Sequence, residues 1–152
     1  MIKQTSNVSE IIVSYYPVNG GKPIVRTASD AYLLFWEFFP PNTIHLQESF
    51  FAMYLNRCNR VIGVYPVAVG GITGTIADIR LILSVALKTV ATSIVIAHNH
   101  PSGSIQPSQA DIEVTIKLNQ AAKGMDIRLM DHIILSPEQG EYFSFADERI
   151  LC

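Results

Sequence analysis

The residues with the most chemical meaning lie between positions 98 and 111: His98-Asn99-His100-Pro101, six further residues, Ser108, two more, and Asp111. On an extended chain, residues two apart project to the same side, so His98 and His100 offer two imidazoles to one point while Asn99 faces away. The loop from Pro101 to Pro107, with Ser102, Gly103 and Ser104, can turn the chain back and bring Asp111, in the first turn of a following helix, to the same place. Two histidines and one carboxylate suffice for catalytic zinc, with Zn–N and Zn–O distances of about 2.0–2.2 Å and a fourth tetrahedral position left open. Such an ion lowers the pKa of water from about 15.7 towards roughly 7 and polarises a carbonyl. A general base is still useful, to accept a proton and pass it to a leaving amine.

Each of these residues also has a plainer reading. Neighbouring histidines are often no more than a surface turn. Ser108 and Asp111 spell S-x-x-D, a helix N-terminal cap in which the serine accepts a backbone N–H and the acid benefits from the helix dipole. With HxHP immediately upstream, the ligand reading of Asp111 is the better one, and Ser108 keeps the option of capping. Cys58 and Cys152 have neither CxxC spacing nor the number of a disulfide framework, and both are expected as thiols.

Regular elements must hold these groups in place. Ile11, Ile12 and Val13 open an expected strand closed by Gly20-Gly21. A helix follows, with Thr27 as N-cap and Asp30 three residues on; Ala31, Leu34, Phe35 and Phe38 form its aromatic core face, and Pro40-Pro41 stops it. Glu48 to Leu55 and Val61 to Val69, rich in aromatic and β-branched residues, flank the polar stretch Asn56 to Arg60 as an antiparallel hairpin, and Gly70-Gly71 and Gly74 end it. Ile79, Ile82, Leu83, Ala86, Leu87 and Val90 mark a helix, and Leu81 and Val85 on its other side suggest burial nearly all round. Ser93 to Ala97 has the continuous apolar character of a central strand covered on both faces. A third helix begins near Ser108, carries Val114, Leu118, Ala121 and Met125 on its apolar side, and ends around Gly124; Leu129 to Leu135 returns as a strand. The pattern predicts an α/β fold with a mixed sheet flanked by helices, in one domain spanning 1–152.

Composition narrows the function classes. The chain has 152 residues, 49% of them hydrophobic, enough for one substantial core. Eleven basic against 13 acidic side chains leave a formal charge of -2, without the surplus of Lys and Arg that supplies most affinity for nucleic acid. The polar start, Met1 to Glu10, has no secretory pattern, so a cytoplasmic location is expected. Leu81 to Ala97 is the most apolar stretch, but Lys88 interrupts it and it reads as a helix and a strand rather than a membrane span. A low charged fraction, 16%, is compatible with a homo-oligomer.

HNHPSG followed by PSQAD resembles the JAMM motif of the JAB/MPN metalloproteases, in the form carried by bacterial RadC-like proteins. QESFF at Gln47 to Phe51, NRCNRVIG from Asn56, the Gly70 to Thr75 segment, DHIIL from Asp131 and SFADE from Ser144 are similar to the same family in the same order, over about two-thirds of the chain. The resemblance implies a JAB/MPN fold of cytidine-deaminase-like architecture and a zinc peptidase or isopeptidase with a protein or peptide substrate. It further implies His98, His100 and Asp111 as metal ligands, Glu48 as the base and Ser108 as a residue helping to hold the oxyanion. Glu48 also reads as a solvated strand end, although it shares a face with Phe50, Ala52 and Tyr54. Glu37 is a competing base, ranked lower because it falls on the exposed side of its helix. Asp131 and His132 read as structural, with a supporting role around the ligands as the alternative. The resemblance implies a small residue where Arg149 stands. Longer RadC-like proteins carry an N-terminal helical segment of helix-hairpin-helix character with no counterpart here, so DNA binding is not expected.

Zinc nucleoside deaminases need H-x-E and P-C-x-x-C, and neither occurs in this sequence. In HNH nucleases the three motif residues are dispersed over a ββα unit, so the adjacent letters here are coincidental. The remaining alternative is a non-catalytic RadC-like interaction or DNA-repair accessory module; such members usually lose ligands, and this chain keeps all three.

Overall fold

The computed structural model describes residues 7–70 and 77–151. A five-stranded mixed sheet forms its centre, built from β1 (Ser49–Leu55), β2 (Val61–Val69), β3 (Ser93–Asn99), β4 (Arg128–Leu135) and β5 (Tyr142–Ser144) in the order β2-β1-β3-β4-β5. Only the β3–β4 pair is parallel, and the crossover between them is helix α3 (Gln109–Lys123); α1 (Ala28–Trp36) and α2 (Ile79–Lys88) complete the set. The expected mixed sheet flanked by helices is therefore the fold.

Alternation along β1 and β3 sorts the core into two layers. Phe50, Ala52, Tyr54, Ile94 and Ile96 pack with Ile82, Leu83 and Ala86 of α2 and with Leu118 and Ala122 of α3. Phe51, Met53, Leu55, Val95 and Ala97 pack with Ala31, Tyr32 and Phe35 of α1 on the other face. Both strands are buried along their whole length, as the continuous apolar runs predict. By the same parity, position 98 belongs to the α2/α3 face and position 99 to the α1 face.

β4 breaks this simple rule. Ile94 pairs with Leu129 but Val95 pairs with Asp131, so Met130 is an extra residue in β4. A bulge of this kind re-aims every residue beyond it. Unbroken alternation from Leu129, which packs on the α2/α3 side, would send His132 to the α1 face; the bulge turns it to the face of His98 instead. Asp131 faces the other way and anchors the chain end: it accepts from the His132 and Ala146 N–H groups at 2.7 and 2.9 Å and from Ser144 Oγ at 2.6 Å. Burial pushes its carboxyl pKa upward, against the lowering effect of these bonds. Asp131→Ala is expected to leave the buried His132 N–H without this acceptor, at about 1–3 kcal/mol, and the partly buried Ala146 N–H as well, at a smaller cost, whereas Asp131→Asn keeps an acceptor oxygen and loses less. Denaturant unfolding checks this, and equal losses in the two variants would contradict it.

Several expectations need correction. Ile11, Ile12 and Val13 form no strand and are 88%, 76% and 64% exposed; their β-branched side chains have no partner strand to pack against, which is what strand preference depends on. Helix α2 is not buried all round. Ile82, Leu83 and Ala86 face the sheet while Leu81 and Leu87 are exposed, because the helix lies outside the sheet with only one stripe against it. Val90 falls beyond its end, exposed and at positive φ. On α1 the buried side is Ala31, Tyr32 and Phe35, and Phe38 lies beyond the helix end, about half exposed beside the Phe51 ring. On α3 Leu118 is buried as expected and Ala121 packs partly against the core, but the other fully buried residues are Thr115 and Ala122 rather than Val114, and Met125 is exposed. Gly124 does cap this helix, in a right-handed conformation; the left-handed residue is Asp126. The short β5 was not foreseen. Arg149 has φ +57, the region a glycine enters most cheaply, which explains the small residue expected there. Cys58 is a free, exposed thiol. Cys152, Gly71 and Gly74 lie outside the described residues. Among the described residues no helix is long and apolar enough to cross a membrane.

Candidate metal centre

His98 is the penultimate residue of β3, and the ladder continues one step past the strand, with the His100 N–H bonded to the Leu135 carbonyl at 2.9 Å. The two imidazoles therefore leave the carboxyl end of the central strand on one face. The chain then turns, Gly103 at φ +87 donating its N–H to the His100 carbonyl, and enters α3 through a capping box. Ser108 Oγ accepts from the Asp111 N–H at 3.1 Å, and Asp111 Oδ2 accepts from the Ser108 N–H at 2.7 Å.

Capping and clustering turn out to be compatible for Asp111. Its Oδ1 lies 3.1 Å from His98 Nε2 and its Oδ2 3.3 Å from His100 Nε2, and the two Nε2 atoms are 3.0 Å apart. Among the described residues, His98, His100 and Asp111 are the one group of three such side chains close enough to share a metal ion. Three donors around a tetrahedral ion at about 2.0–2.2 Å sit roughly 3.3–3.6 Å from one another, so a small outward shift of these side chains would admit the ion. His100 Nδ1 lies 2.7 Å from the Ser104 carbonyl, which can only accept; Nδ1 thus carries the proton, and in the neutral ring the Nε2 lone pair faces the cluster. Phe50 stacks on the His98 ring, the planes 4° apart, and fixes its orientation.

The charges reinforce one another. Burial penalises the Asp111 carboxylate, but its contacts with His100 and His98, the charge of His98 and the Ser108 N–H outweigh that and hold its pKa well below the usual carboxylate range. Burial likewise opposes charge on His100, and the Asp111 carboxylate, the Ser104 carbonyl and the charge of Glu48 outweigh it, so its pKa moves up.

Glu48 precedes β1 directly, one residue later in starting the strand than expected. The β1–β3 pairing ends with Phe50 opposite His98; extrapolated two residues further, the same register sets Glu48 against His100, and the electrostatic influence of Glu48 on His100 agrees with that proximity. Glu37 is at the C-cap of α1, exposed, and lines an apolar cavity with Leu34, Phe38 and Met53 on the opposite face of the sheet. It is remote from the histidines.

Three supporting residues escaped sequence reasoning or were underrated. Asn99, facing away from the cluster, accepts from the Ser49 N–H at 2.7 Å and donates to the Gln47 and Ile44 carbonyls at 3.0 and 2.9 Å. It grips the backbone on both sides of Glu48. His132 is fully buried and stacked on Phe145, and its Nε2 lies 2.8 Å from His98 Nδ1. Burial, with a positive charge on His98 adding to it whenever that ring is protonated, pushes its pKa well below the ordinary histidine value. Thr115 touches the other nitrogen of His132 at 2.6 Å. The spacing of Thr115, one helical turn past Asp111, was the available signal.

The RadC-like JAB domain family matches residues 25–150. The chain belongs to that family. Among its curated relatives, a UPF0758 protein of Flavobacterium johnsoniae is 42% identical over 103 residues, 68% of this chain and 44% of the relative. A UPF0758 protein of Porphyromonas gingivalis is 42% identical over 105 residues, 69% of this chain and 46% of the relative. The part of each relative that this RadC-like JAB domain matches is thus less than half of that relative's length. All the clustered groups, from Glu48 to His132, fall inside the matched residues.

Proposed function

We propose that this RadC-like JAB domain is a zinc-dependent hydrolase of peptide or isopeptide bonds. The observation that carries the reading is the convergence of His98 Nε2, His100 Nε2 and the Asp111 carboxylate within 3.0–3.3 Å of one another at the end of a buried strand. These three side chains would hold the ion. Zinc, when bound, supplies a Lewis acid that makes water a nucleophile near neutral pH and polarises a carbonyl.

The chain's own groups do the remaining work. Glu48, opposite His100 and clamped through Asn99, takes the proton of the attacking water and returns it to the departing amine. Ser108 spends an oxygen lone pair on the Asp111 N–H and keeps its hydroxyl proton to donate to a carbonyl oxygen as charge develops there. A substrate of extended peptide character, or a lysine isopeptide, offers the required carbonyl and amine.

The test is hydrolysis of a quenched peptide library and of lysine-isopeptide conjugates by the purified protein, before and after chelation. Cleavage is expected to vanish with the metal and return with added zinc. A folded, zinc-loaded protein that cleaves none of these would overturn the hydrolase reading in favour of a non-catalytic interaction or repair-accessory module.

A further inference from the structure

We propose that Thr115 and His132 are positioning residues that set the tautomer of His98 through one directional chain of hydrogen bonds, tying the strand-borne His98 to the helix-borne Asp111. The inference rests on the metal reading above only for its purpose, since the chain itself is defined by the protein's own atoms.

Its direction follows from a single fixed end. The Asp111 backbone carbonyl can only accept, so Thr115 Oγ1, 2.6 Å away, donates its one proton there. With that proton spent, Thr115 Oγ1 accepts at its contact with His132 Nδ1, 2.6 Å away, so Nδ1 carries the hydrogen. His132 is 0% exposed and lies between the rings of Phe145 and Phe50, an environment that favours the neutral imidazole, whose Nε2 is then a lone pair. That lone pair accepts from His98 Nδ1–H at 2.8 Å. The remaining nitrogen of His98, Nε2, faces Asp111 and His100. The reverse direction, with Thr115 Oγ1 donating to His132 Nδ1, would leave Thr115 Oγ1 and the Asp111 carbonyl oxygen 2.6 Å apart with no hydrogen between them. The bonds from His98 Nδ1 to the Asp111 carbonyl are therefore all made in one arrangement, and that arrangement aims the His98 Nε2 lone pair at the Asp111 carboxylate and the His100 Nε2 lone pair, where a cation would pair all three.

Two features of the fold serve this chain. The extra residue at Met130 in β4 turns His132 to the face of His98. On α3 the buried stripe of Thr115, Leu118 and Ala122 places a polar side chain where an aliphatic one would be the ordinary choice. Asp111 is thus held from both ends, its carboxylate in the cap with Ser108 and its carbonyl in the bond from Thr115. Groups that orient a ligating histidine in this way typically change metal affinity by about 10–100-fold when removed.

Two readouts separate this inference from the metal reading. The chain has four histidines, so ring nitrogen NMR of metal-free protein near pH 8 can report each tautomer. His98 is expected as the Nδ1–H form in the parent and in Thr115→Ser, with that preference weakened in Thr115→Val. Zinc affinity, from competition with a chromophoric chelator, is expected to fall by about 10–100-fold in Thr115→Val and in His132→Gln, and to return to within about threefold of the parent in Thr115→Ser. His98 carrying its proton on Nε2 in the parent would overturn the proposal whether or not zinc binds. So would equal zinc affinity losses in Thr115→Val and Thr115→Ser, or parent-like affinity together with an unchanged His98 tautomer in Thr115→Val. If no zinc binds to the parent but His98 shows the Nδ1–H form and loses it in Thr115→Val, the positioning chain stands and the metal reading fails.

Discussion

Asp111→Asn is expected to abolish tight zinc binding while leaving the fold nearly as stable as before. The Asp111 side chain meets both histidine Nε2 atoms and also accepts the Ser108 N–H. An asparagine oxygen can still accept that N–H, so the cap persists and the stability change is confined to the charge–dipole contribution, about 0.3–1 kcal/mol. The ion would instead lose its anionic donor and retain two imidazoles and a neutral amide. That loss should exceed the roughly 10–100-fold effect of removing an orienting neighbour. Ser108→Ala is the reverse case: it removes the hydroxyl that accepts the Asp111 N–H, costing about 0.5–2 kcal/mol of stability, and leaves the three proposed ligands in place. Zinc titrations and thermal unfolding of the three proteins decide the matter. Equal, small affinity losses in both variants would mean that Asp111 is a cap and nothing more.

Glu48→Gln is expected to keep zinc and lose hydrolysis, by about 100- to 10,000-fold, the usual contribution of a positioned proton-transfer group. Glutamine preserves size and hydrogen bonding but cannot accept the proton, and Asn99 would continue to hold the backbone at Gln47 and Ser49. Glu37→Gln serves as the control, because Glu37 sits on the α1 face, across the sheet from the histidines; it should leave turnover unchanged. Retained hydrolysis in Glu48→Gln would move the base role elsewhere.

Sequence pattern conveyed those features that depend on local chemistry. Thr27 with Asp30 and Ser108 with Asp111 announce helix starts because a capping box is closed within four residues, and both boxes are present. The hairpin of β1 and β2 and the central β3 were legible from continuous apolar runs broken by polar turns. HxH on an extended strand gave two imidazoles on one side, as found. What the pattern could not convey depends on contacts far apart in sequence. The bulge at Met130 has no marker in the run RLMDHIIL, yet it decides which face His132 occupies. Thr115 looks like a helix surface residue until its partner from β4 is in place, and so Val114 was assigned to the core face instead. Asn99 was correctly turned away from the histidines, but its grip on Gln47 and Ser49 spans some fifty residues. Ile11 to Val13 failed in the opposite sense, a strand-like run that no strand accompanies.

Elemental analysis of protein purified without added metal tests the central claim most directly. About one zinc per chain is expected, lost on chelation and on Asp111→Asn. Re-addition of zinc to 100 times its dissociation constant should then stabilise the fold by about 2.7 kcal/mol. Since the imidazoles must be neutral to bind and the His100 pKa is raised, affinity should begin to weaken above the ordinary histidine value of roughly 6.5 as pH falls, and continue to weaken below it. Protein that carries no divalent metal as purified, and shows no zinc binding by calorimetry, would contradict the assignment of His98, His100 and Asp111 as a metal centre.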